Sequence, residues 1–305
     1  MQRTNWEQLR TLLEQEQLCF REQERMDLHT TFRIGGKAAF FVVIGDERQA
    51  AAAQSCCRKA GAPYFCLGRG SNLLVQDEDI PLVFLSFEGM TGISREGNRI
   101  AVQSGAALSR VCRYAQENGL GGLEFAYGIP GSVGGGVLMN AGAYGGELKD
   151  VVTKVRYLDE TGEIREKSAA ELEFRYRHSF FTGKKCLILS AELELSPANP
   201  EDIKAKMEDL MNRRKEKQPL EYGSAGSTFK RPEGAFAAAL IDQCGLKGLT
   251  VGGAQVSEKH AGFVINRGGA TCADVRELMK QVAETVLRET GYRLEPEVML
   301  VTGEE

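Results

Sequence analysis

The sequence predicts an α+β fold with more than one module, and three features lead to this prediction. Short apolar, β-branched stretches typical of strands mix with amphipathic helical stretches, without the regular strand–helix alternation of a parallel α/β sheet. The 305 residues are enough for a large core divided between two or three modules. The 35 glycines among the 305 residues are a larger share than the ~7% that is usual in proteins. This excess favours loops that approach a ligand closely.

The first part of the chain begins with an amphipathic helix, because Trp6, Leu9, Leu12 and Leu13 recur at helical spacing. A second helix is expected from its cap at Asp46 to Gly61, and a third from Leu108 to Asn118, before Gly119. The strands expected between these helices are Phe40–Ile44, Tyr64–Leu67, Leu73–Val75, Leu82–Phe87 and Ile100–Gln103.

A glycine-rich segment occupies residues 121–146. It contains ten glycines and no sustained helical or strand period, so we expect a long loop. Loops of this length inside a compact domain are usually functional or disordered. The apolar side chains of the segment, among them Phe125, Tyr127 and Tyr144, argue against disorder.

The second part of the chain contains a predicted hairpin, Val151–Leu158 with Glu163–Glu166, and then a strand over Cys186–Leu195. Pro197 and Pro200 indicate a module boundary. The remaining expected elements are helices over 201–215, 235–243 and 271–290 and strands over 249–256, 262–266 and 298–301. The last helix is expected to be capped by Thr271, to end at Gly291 and to have one apolar face, formed by Val275, Leu278, Val282 and Val286.

The composition excludes several functional classes. The net charge of −4 argues against a general nucleic-acid surface. The eight cysteines form no CxxC pair and the three histidines are far apart, so neither a metal site nor a disulfide framework is predicted. We expect free thiols in a reducing compartment and a cytoplasmic location, because the N-terminus has no apolar signal core and no apolar run is long enough to cross a bilayer.

Two glycine loops are the candidate binding motifs. Residues 68–72, GRGSN, join two predicted strands and present consecutive main-chain N–H groups, which can wrap a diphosphate. Residues 128–136, GIPGSVGGG, add further N–H groups beside apolar residues that could flank a flat ring. Leu73 occupies the place of the third glycine of a dinucleotide-binding fingerprint, so a Rossmann domain is not predicted. A plain tight turn remains the alternative for either loop alone.

The ordered set of motifs resembles the UDP-N-acetylenolpyruvoylglucosamine reductase family over about residues 27–301. The motifs that carry the resemblance are HTTFRIGG at 29–36, GRGSNLLV at 68–75, GIPGSVGGGVLMNAGAYG at 128–145, YRHS at 176–179, AGSTFK at 225–230 and LEPEV at 294–298. Residues 180–185 run directly into the next strand, as in the shorter type of the family, which lacks an inserted loop with a substrate-clamping tyrosine.

The resemblance implies a two-part FAD-binding domain of the vanillyl-alcohol-oxidase (PCMH) type and a smaller α+β substrate-binding domain. The implied modules are residues 1–95 and 96–198 for the two FAD-binding parts and 199–305 for the substrate, with the strand that carries Glu297 returning to the active site. The residues expected to bind FAD are Arg33, Gly35, Gly68, Gly70, Ser71, Asn72, Leu73, Gly128, Ile129, Pro130, Gly131, Ser132, Gly134, Gly135, Asn140, Ala141 and Gly142.

The implied reaction is the NADPH-dependent reduction of UDP-N-acetylglucosamine enolpyruvate to UDP-N-acetylmuramate through FAD. A hydride reaches carbon 3 of the enolpyruvyl group, Arg177 and Glu297 stabilise the resulting enolate, and Ser227 gives a proton to carbon 2. Arg214, Lys217, Lys230 and His260 are the expected substrate-binding residues. The first three lie in residues 213–231, where six basic and two acidic side chains give a local net charge of +4 that suits a diphosphate.

Other readings of the same residues remain open. Taken singly, Arg177 is typical of a surface arginine, Ser227 of a turn and Glu297 of a solvated charge. The chain could be another FAD oxidoreductase of the same superfamily, such as an alcohol oxidase, which needs no such trio, or a flavin- or nucleotide-sugar-binding protein without catalysis. The expected partners are small molecules, with no nucleic acid and no membrane insertion, and the expected state is a monomer, with a weak dimer as the alternative.

Overall fold

The computed structural model describes residues 4–303, and in these residues strands and helices mix as the α+β prediction requires. The helices are α1 Trp6–Gln15, α2 Glu47–Ala60, α3 Leu108–Glu117, α4 Val133–Leu138, α5 Pro200–Lys217, α6 Ala237–Gln243 and α7 Cys272–Thr290. The strands are β1 Cys19–Arg25, β2 Lys37–Val43, β3 Tyr64–Leu67, β4 Leu73–Val75, β5 Ile80–Ser86, β6 Ile93–Glu96, β7 Arg99–Gln103, β8 Leu120–Gly121, β9 Gly142–Ala143, β10 Gly146–Glu147, β11 Val152–Leu158, β12 Ile164–Ser168, β13 Leu187–Glu194, β14 Ser196–Pro197, β15 Thr250–Val251, β16 Ala254–Val256, β17 Val264–Asn266 and β18 Met299–Val301.

The described chain folds into two compact units, both discontinuous in sequence. Within the described residues, unit 1 consists of residues 4–22, 40–69 and 82–213, and unit 2 of residues 23–39, 70–81 and 214–303. This division lies at other positions than the proline pair at 197 and 200. The three-module division at residues 95 and 198 stays a prediction.

Unit 1 contains an antiparallel five-stranded sheet with the strand order β12-β11-β13-β7-β6. Its core joins this sheet to α3, α4 and the start of α5, with fully buried side chains such as Val111, Val137 and Val155. A second, four-stranded sheet has the order β1-β2-β5-β3, in which β3 and β5 are parallel.

Unit 2 is built on α7, which packs against the hairpin of β15 and β16. The apolar face predicted for this helix is confirmed, because Val275, Leu278, Val282 and Val286 are completely buried. The hydroxyl of Thr271 caps the helix by accepting from the amide of Asp274, and Gly291 ends it in the left-handed conformation. Beside this core, β18 runs parallel to β4 and so fixes the chain around residues 72 and 297.

The sequence-based prediction was wrong about several elements. The strand predicted over 249–256 is a hairpin of β15 and β16, and β9 and β10 form within the segment predicted to have no strand. Strand β1 was not predicted, because its charged sequence buries little apolar surface and five of its seven residues are exposed. Strand β6 was missed for the same reason. Helix α4 forms in the segment predicted to be a loop without helical or strand structure, although glycine is a poor helix former.

Candidate active site

The first glycine loop leaves β3 through Gly68 and reaches β4 through residues 70–72. Gly70 has a φ of +58°, and a Cβ atom there would lie 2.0 Å from the carbonyl oxygen of His29. The amide of Thr31 donates to the carbonyl of Gly70 at 3.1 Å. In the part of the chain that the structure describes, the main-chain N–H groups of residues 70–72 have no acceptor. The loop therefore offers the free donors that the sequence predicted.

The same loop holds the segment that carries Glu297, within unit 2. The side-chain amide of Asn72 donates to the carbonyl of Glu297 at 3.0 Å. The amide of Met299 donates to the carbonyl of Asn72 at 2.9 Å. A predicted cofactor residue and a predicted catalytic residue are thus directly connected. Leu73, which follows, is buried in β4 opposite Met299.

The second glycine loop differs from its prediction, because most of its amides are already used by the protein. The amides of Val133, Gly134 and Gly136 donate to main-chain carbonyls, and that of Gly135 donates to the hydroxyl of Ser132, which caps α4. Within residues 4–303, only the amides of Gly128, Gly131 and Ser132 in this loop have no acceptor. Fewer donors are available here than the row of glycines suggested.

Two of the three glycines of α4, Gly134 and Gly136, are instead required by close packing inside unit 1. A Cβ atom at Gly134 would lie 2.9 Å from Cβ of Ser104, and one at Gly136 would lie 2.7 Å from a methyl carbon of Leu148. A Cβ atom at Gly68 would lie 2.4 Å from the hydroxyl of Ser132, so the start of the first loop is in contact with the second. Ile129 and Ala141 pack on the core of unit 1, Pro130 is exposed, and Gly142 begins β9.

Arg33 and Gly35 belong to a tightly held segment of unit 2. Arg33 has a φ of +58° and an exposed side chain. The side-chain amide of Asn266 donates to the carbonyl of Phe32 at 3.1 Å, and the hydroxyl of Thr31 donates to the carbonyl of Ser224 at 2.6 Å. Gly35 lies between Met26 and Val75, each of which would be 3.0 Å from a Cβ atom there.

The segments that carry Ser227 and Glu297 pair with each other in unit 2. The amide of Glu297 donates to the carbonyl of Thr228 at 2.8 Å, and the amide of Lys230 donates to the carbonyl of Glu295 at 2.8 Å. Phe229 and Pro296 form an antiparallel bridge between these segments. Ser227 is exposed, whereas Thr228 is buried and its hydroxyl accepts from the amide of Val264. Thr228 was not among the predicted site residues, although its place beside Ser227 in the motif was a signal.

His260 is connected through Gly262 to Thr228, and so to the paired segments of Ser227 and Glu297. Its Nδ1 accepts from the amide of Gly262, whose carbonyl in turn accepts from the amide of Thr228 at 2.9 Å. Its ring packs edge-on against Phe263, and burial lowers the pKa of the imidazole below its usual range. A neutral ring in this position acts as an acceptor and spacer.

The other predicted substrate residues lie at the C-terminal end of α5 and in the extended segment that follows Ser227. Lys217 is the exposed last residue of α5, and Arg214 lies one turn earlier and is half-buried. The ammonium group of Lys259 donates to the carbonyl of Lys215 at 2.6 Å, so it satisfies the end of this helix. Lys230 forms an ion pair with Glu295 at 3.6 Å.

Arg177 lies on a tight turn in unit 1. The main chains of Arg175 and His178 exchange two hydrogen bonds of 3.1 Å, which leaves Tyr176 and Arg177 at the tip. Arg177 has a φ of +53°, and its guanidinium stacks on the ring of Tyr176 at 4.9 Å. The turn therefore presents a planar cation held by an aromatic ring, which suits a carboxylate ligand.

Neither a metal site nor a membrane span is found in residues 4–303. No group of three or more histidine, cysteine, aspartate or glutamate side chains there could hold a metal ion. No helix in the same residues is long and apolar enough to cross a membrane.

Comparisons with known proteins point to one enzyme family. The family model described as "UDP-N-acetylenolpyruvoylglucosamine reductase, C-terminal domain" matches residues 218–301, and the one described as "FAD binding domain" matches residues 38–168. The chain is 48% identical to a UDP-N-acetylenolpyruvoylglucosamine reductase of Clostridium perfringens over 90% of this chain and 91% of that protein. It is 45% identical to the enzyme of the same name from Clostridium novyi, over 97% and 96% of the two chains.

Solved structures give the same result. The UDP-N-acetylenolpyruvylglucosamine reductase of Thermus caldophilus superimposes with a TM-score of 0.79 at 34% identity, over 93% of this chain and 98% of that one. A berberine bridge enzyme variant superimposes with a TM-score of 0.51 at 16% identity, over 63% and 44% of the chains, which is a likeness of fold alone. The predicted fold, an FAD-binding domain of the vanillyl-alcohol-oxidase type with an additional substrate domain, is confirmed.

Proposed function

The chain belongs to the UDP-N-acetylenolpyruvoylglucosamine reductase family and is an FAD-dependent oxidoreductase, and from this premise we propose that it reduces UDP-N-acetylglucosamine enolpyruvate to UDP-N-acetylmuramate with NADPH, in peptidoglycan precursor synthesis. The observation that supports the proposal is the pairing of residues 228–230 with 295–297, which brings the chain segments of the exposed Ser227 and of Glu297 side by side.

The residues of the first loop fit a bound FAD. Gly70 approaches His29 more closely than any side chain allows, and the unpaired N–H groups of residues 70–72 are suitable donors for a diphosphate. The amides of Gly131 and Ser132 are further candidate donors. When bound, FAD supplies the hydride relay between NADPH and the substrate.

The three proposed catalytic residues stabilise the negative charge that develops on the substrate and supply the proton that carbon 2 receives. The guanidinium of Arg177 binds the substrate carboxylate and stabilises the negative charge that develops when hydride reaches carbon 3. The carboxyl group of Glu297 is proposed to help stabilise that enolate through a hydrogen bond. The hydroxyl of Ser227 gives its proton to carbon 2 and, because it is exposed, regains one from solvent.

Arg214, Lys217 and Lys230 are proposed to bind the diphosphate of the substrate, which a locally positive segment attracts. His260 is proposed to support the substrate side indirectly, through Gly262 and Thr228.

The proposal is tested by replacing Ser227 with alanine and following the flavin absorbance through each half-reaction separately. NADPH should still bleach the flavin of the variant, whereas reoxidation by the enolpyruvyl substrate should slow by about a hundredfold or more, the usual range for loss of a general acid. Ser224→Ala is the matched control, because its hydroxyl has no predicted role. Unchanged reoxidation in the Ser227 variant would refute the proton-donor role.

A further inference from the structure

We propose that Asn140 is a positioning residue whose side-chain amide fixes the Arg175–His178 turn and so holds Arg177 for the substrate carboxylate. The inference rests on the function proposed above, in which Arg177 binds that carboxylate. It is carried by the hydrogen bonds and backbone conformations of unit 1 alone.

The side chain of Asn140 is used by the protein itself. Its Nδ2 donates to the carbonyl of Arg175 at 3.1 Å and to Oε2 of Glu147 at 2.8 Å, and its Oδ1 accepts from the amide of Lys149 at 2.9 Å. The residue is 1% exposed. Because a side-chain amide has two N–H donors, none is left for a ligand. The side chain therefore connects the end of the glycine-rich segment to the turn that carries Arg177.

A second tether fixes the turn from its other end. The buried hydroxyl of Ser179 donates to the carbonyl of Leu138 at 2.9 Å, just before Asn140 in the chain. Both ends of the turn are thus tied to residues 138–140. A main chain held at two points leaves the tip little freedom to rotate.

Backbone strain is concentrated in the same region. Seven non-glycine residues among those described have positive φ, and four of them lie between residues 140 and 177: Asn140 at +40°, Tyr144 at +53°, Glu173 at +50° and Arg177 at +53°. Such conformations persist only where the surroundings hold them, and they cluster at functional sites. Asn140 supplies part of that support, because asparagine tolerates positive φ while it bonds to neighbouring main chain.

The hydrogen bonds of Asn140 also include Glu147, whose carboxylate interacts electrostatically with Arg177. The carboxylate of Glu147 accepts from Asn140 and pairs with the ammonium of Lys149 at 2.9 Å. The pKa of Glu147 is lowered, mainly by the hydrogen bond from Lys149 and in part by the positive charge of Arg177. Asn140 therefore connects the main chain of the turn to the carboxylate of Glu147, which interacts with the positive charge of Arg177.

The test is Asn140→Gly, which removes the tether but keeps a residue that accepts positive φ. The matched control is Glu173→Gly, which has the same sign of φ and a side chain without a hydrogen bond in the described residues. The FAD-loaded proteins are titrated with UDP-N-acetylmuramate, which has the carboxylate, and with UDP-N-acetylglucosamine, which lacks it. Asn140→Gly should weaken binding of the first ligand about tenfold or more, the range for a misaligned charged hydrogen bond, and leave the second within about twofold.

A double-mutant cycle separates positioning from general damage. In an Arg177→Ala background, Asn140→Gly should cause little further loss of UDP-N-acetylmuramate binding. Ser179→Ala, which cuts the second tether, should give the same ligand-selective loss and serves if Asn140→Gly does not fold. Equal weakening of both ligands, the same loss in Glu173→Gly, or additive effects with Arg177→Ala would overturn the positioning role. If Arg177→Ala alone did not discriminate between the ligands, the proposed function of Arg177 would fail as well, and the two failures are thereby distinguished.

Discussion

The first glycine loop makes the sharpest prediction about the cofactor, through the replacement of Gly70 by alanine. Alanine in the left-handed conformation costs about 1–2 kcal/mol. The new Cβ atom would also lie 2.0 Å from the carbonyl oxygen of His29 and 2.9 Å from Cα of Thr30, so the main chain must move. Overpacking of this kind adds about 1–3 kcal/mol. The free energy of unfolding should therefore fall by about 2–5 kcal/mol.

Gly97 provides a control with the same backbone conformation. Its φ is also +58°, but no atom lies within 4 Å of the position that a Cβ atom would take. Gly97→Ala should lower the free energy of unfolding by only about 1–2 kcal/mol. The difference between the two variants isolates the close approach of the loop to His29.

The assay is denaturant unfolding of both variants without cofactor, followed by fluorescence titration with FAD. Gly70→Ala should weaken FAD binding about tenfold or more, because displaced amides at residues 70–72 lose charge-assisted hydrogen bonds. Gly97→Ala should bind FAD like the parent protein. Equal losses of stability in the two variants, together with unchanged FAD affinity, would refute the reasoning about this loop.

Three further predictions concern single residues. Thr228→Val should lower the free energy of unfolding by about 1–3 kcal/mol in denaturant titrations, because the amide of Val264 loses its buried acceptor; an unchanged midpoint would contradict this. Burial lowers the pKa of His260 below its ordinary value of 6.5, so the unfolded chain binds more protons than the folded protein at pH values between the two pKa values. The free energy of unfolding should therefore fall as the pH falls through this window. His260→Gln should remove this part of the pH dependence, which thermal unfolding at several pH values measures. Burial raises the pKa of Cys57 to about 12, so a maleimide at neutral pH should label the exposed Cys19 and leave Cys57 unlabelled until the protein unfolds, as peptide mass spectrometry would show.

Local signals in the sequence were sufficient for most of the helices. The caps at Asp46 and Thr271 were predicted from residue type and spacing, and both accept the expected amide hydrogen bonds. The glycine-rich helix α4 could not be predicted in this way. Gly134 and Gly136 are explained by close contacts with Ser104 and Leu148, which lie outside the helix and which its own sequence does not indicate.

The division into two units could also not be predicted from local sequence patterns. Residues 23–39 and 70–81 fold with residues 214–303, and no proline, glycine or charge pattern indicates this association. It follows from tertiary pairing, such as that of β4 with β18, which joins residues more than 200 positions apart.

The candidate site was found in the sequence through motif resemblance, whereas its supporting contacts were not. The pairing of residues 228–230 with 295–297 explains how two separate motifs, one with Ser227 and one with Glu297, come to lie on adjacent segments of the chain. The tether from Asn140 to the Arg177 turn depends on a side-chain geometry that no sequence pattern specifies. The prediction that Asn140 contributes to FAD binding remains open for its main chain.

The most direct test of the account is a single turnover without oxygen. The purified protein is loaded with FAD, reduced with an equal amount of NADPH until the visible flavin absorbance is lost, and mixed with UDP-N-acetylglucosamine enolpyruvate. We predict that the absorbance returns and that UDP-N-acetylmuramate forms in an amount equal to the flavin. A protein that takes up no FAD, or a flavin that is reoxidised by oxygen but not by this substrate, would contradict the account.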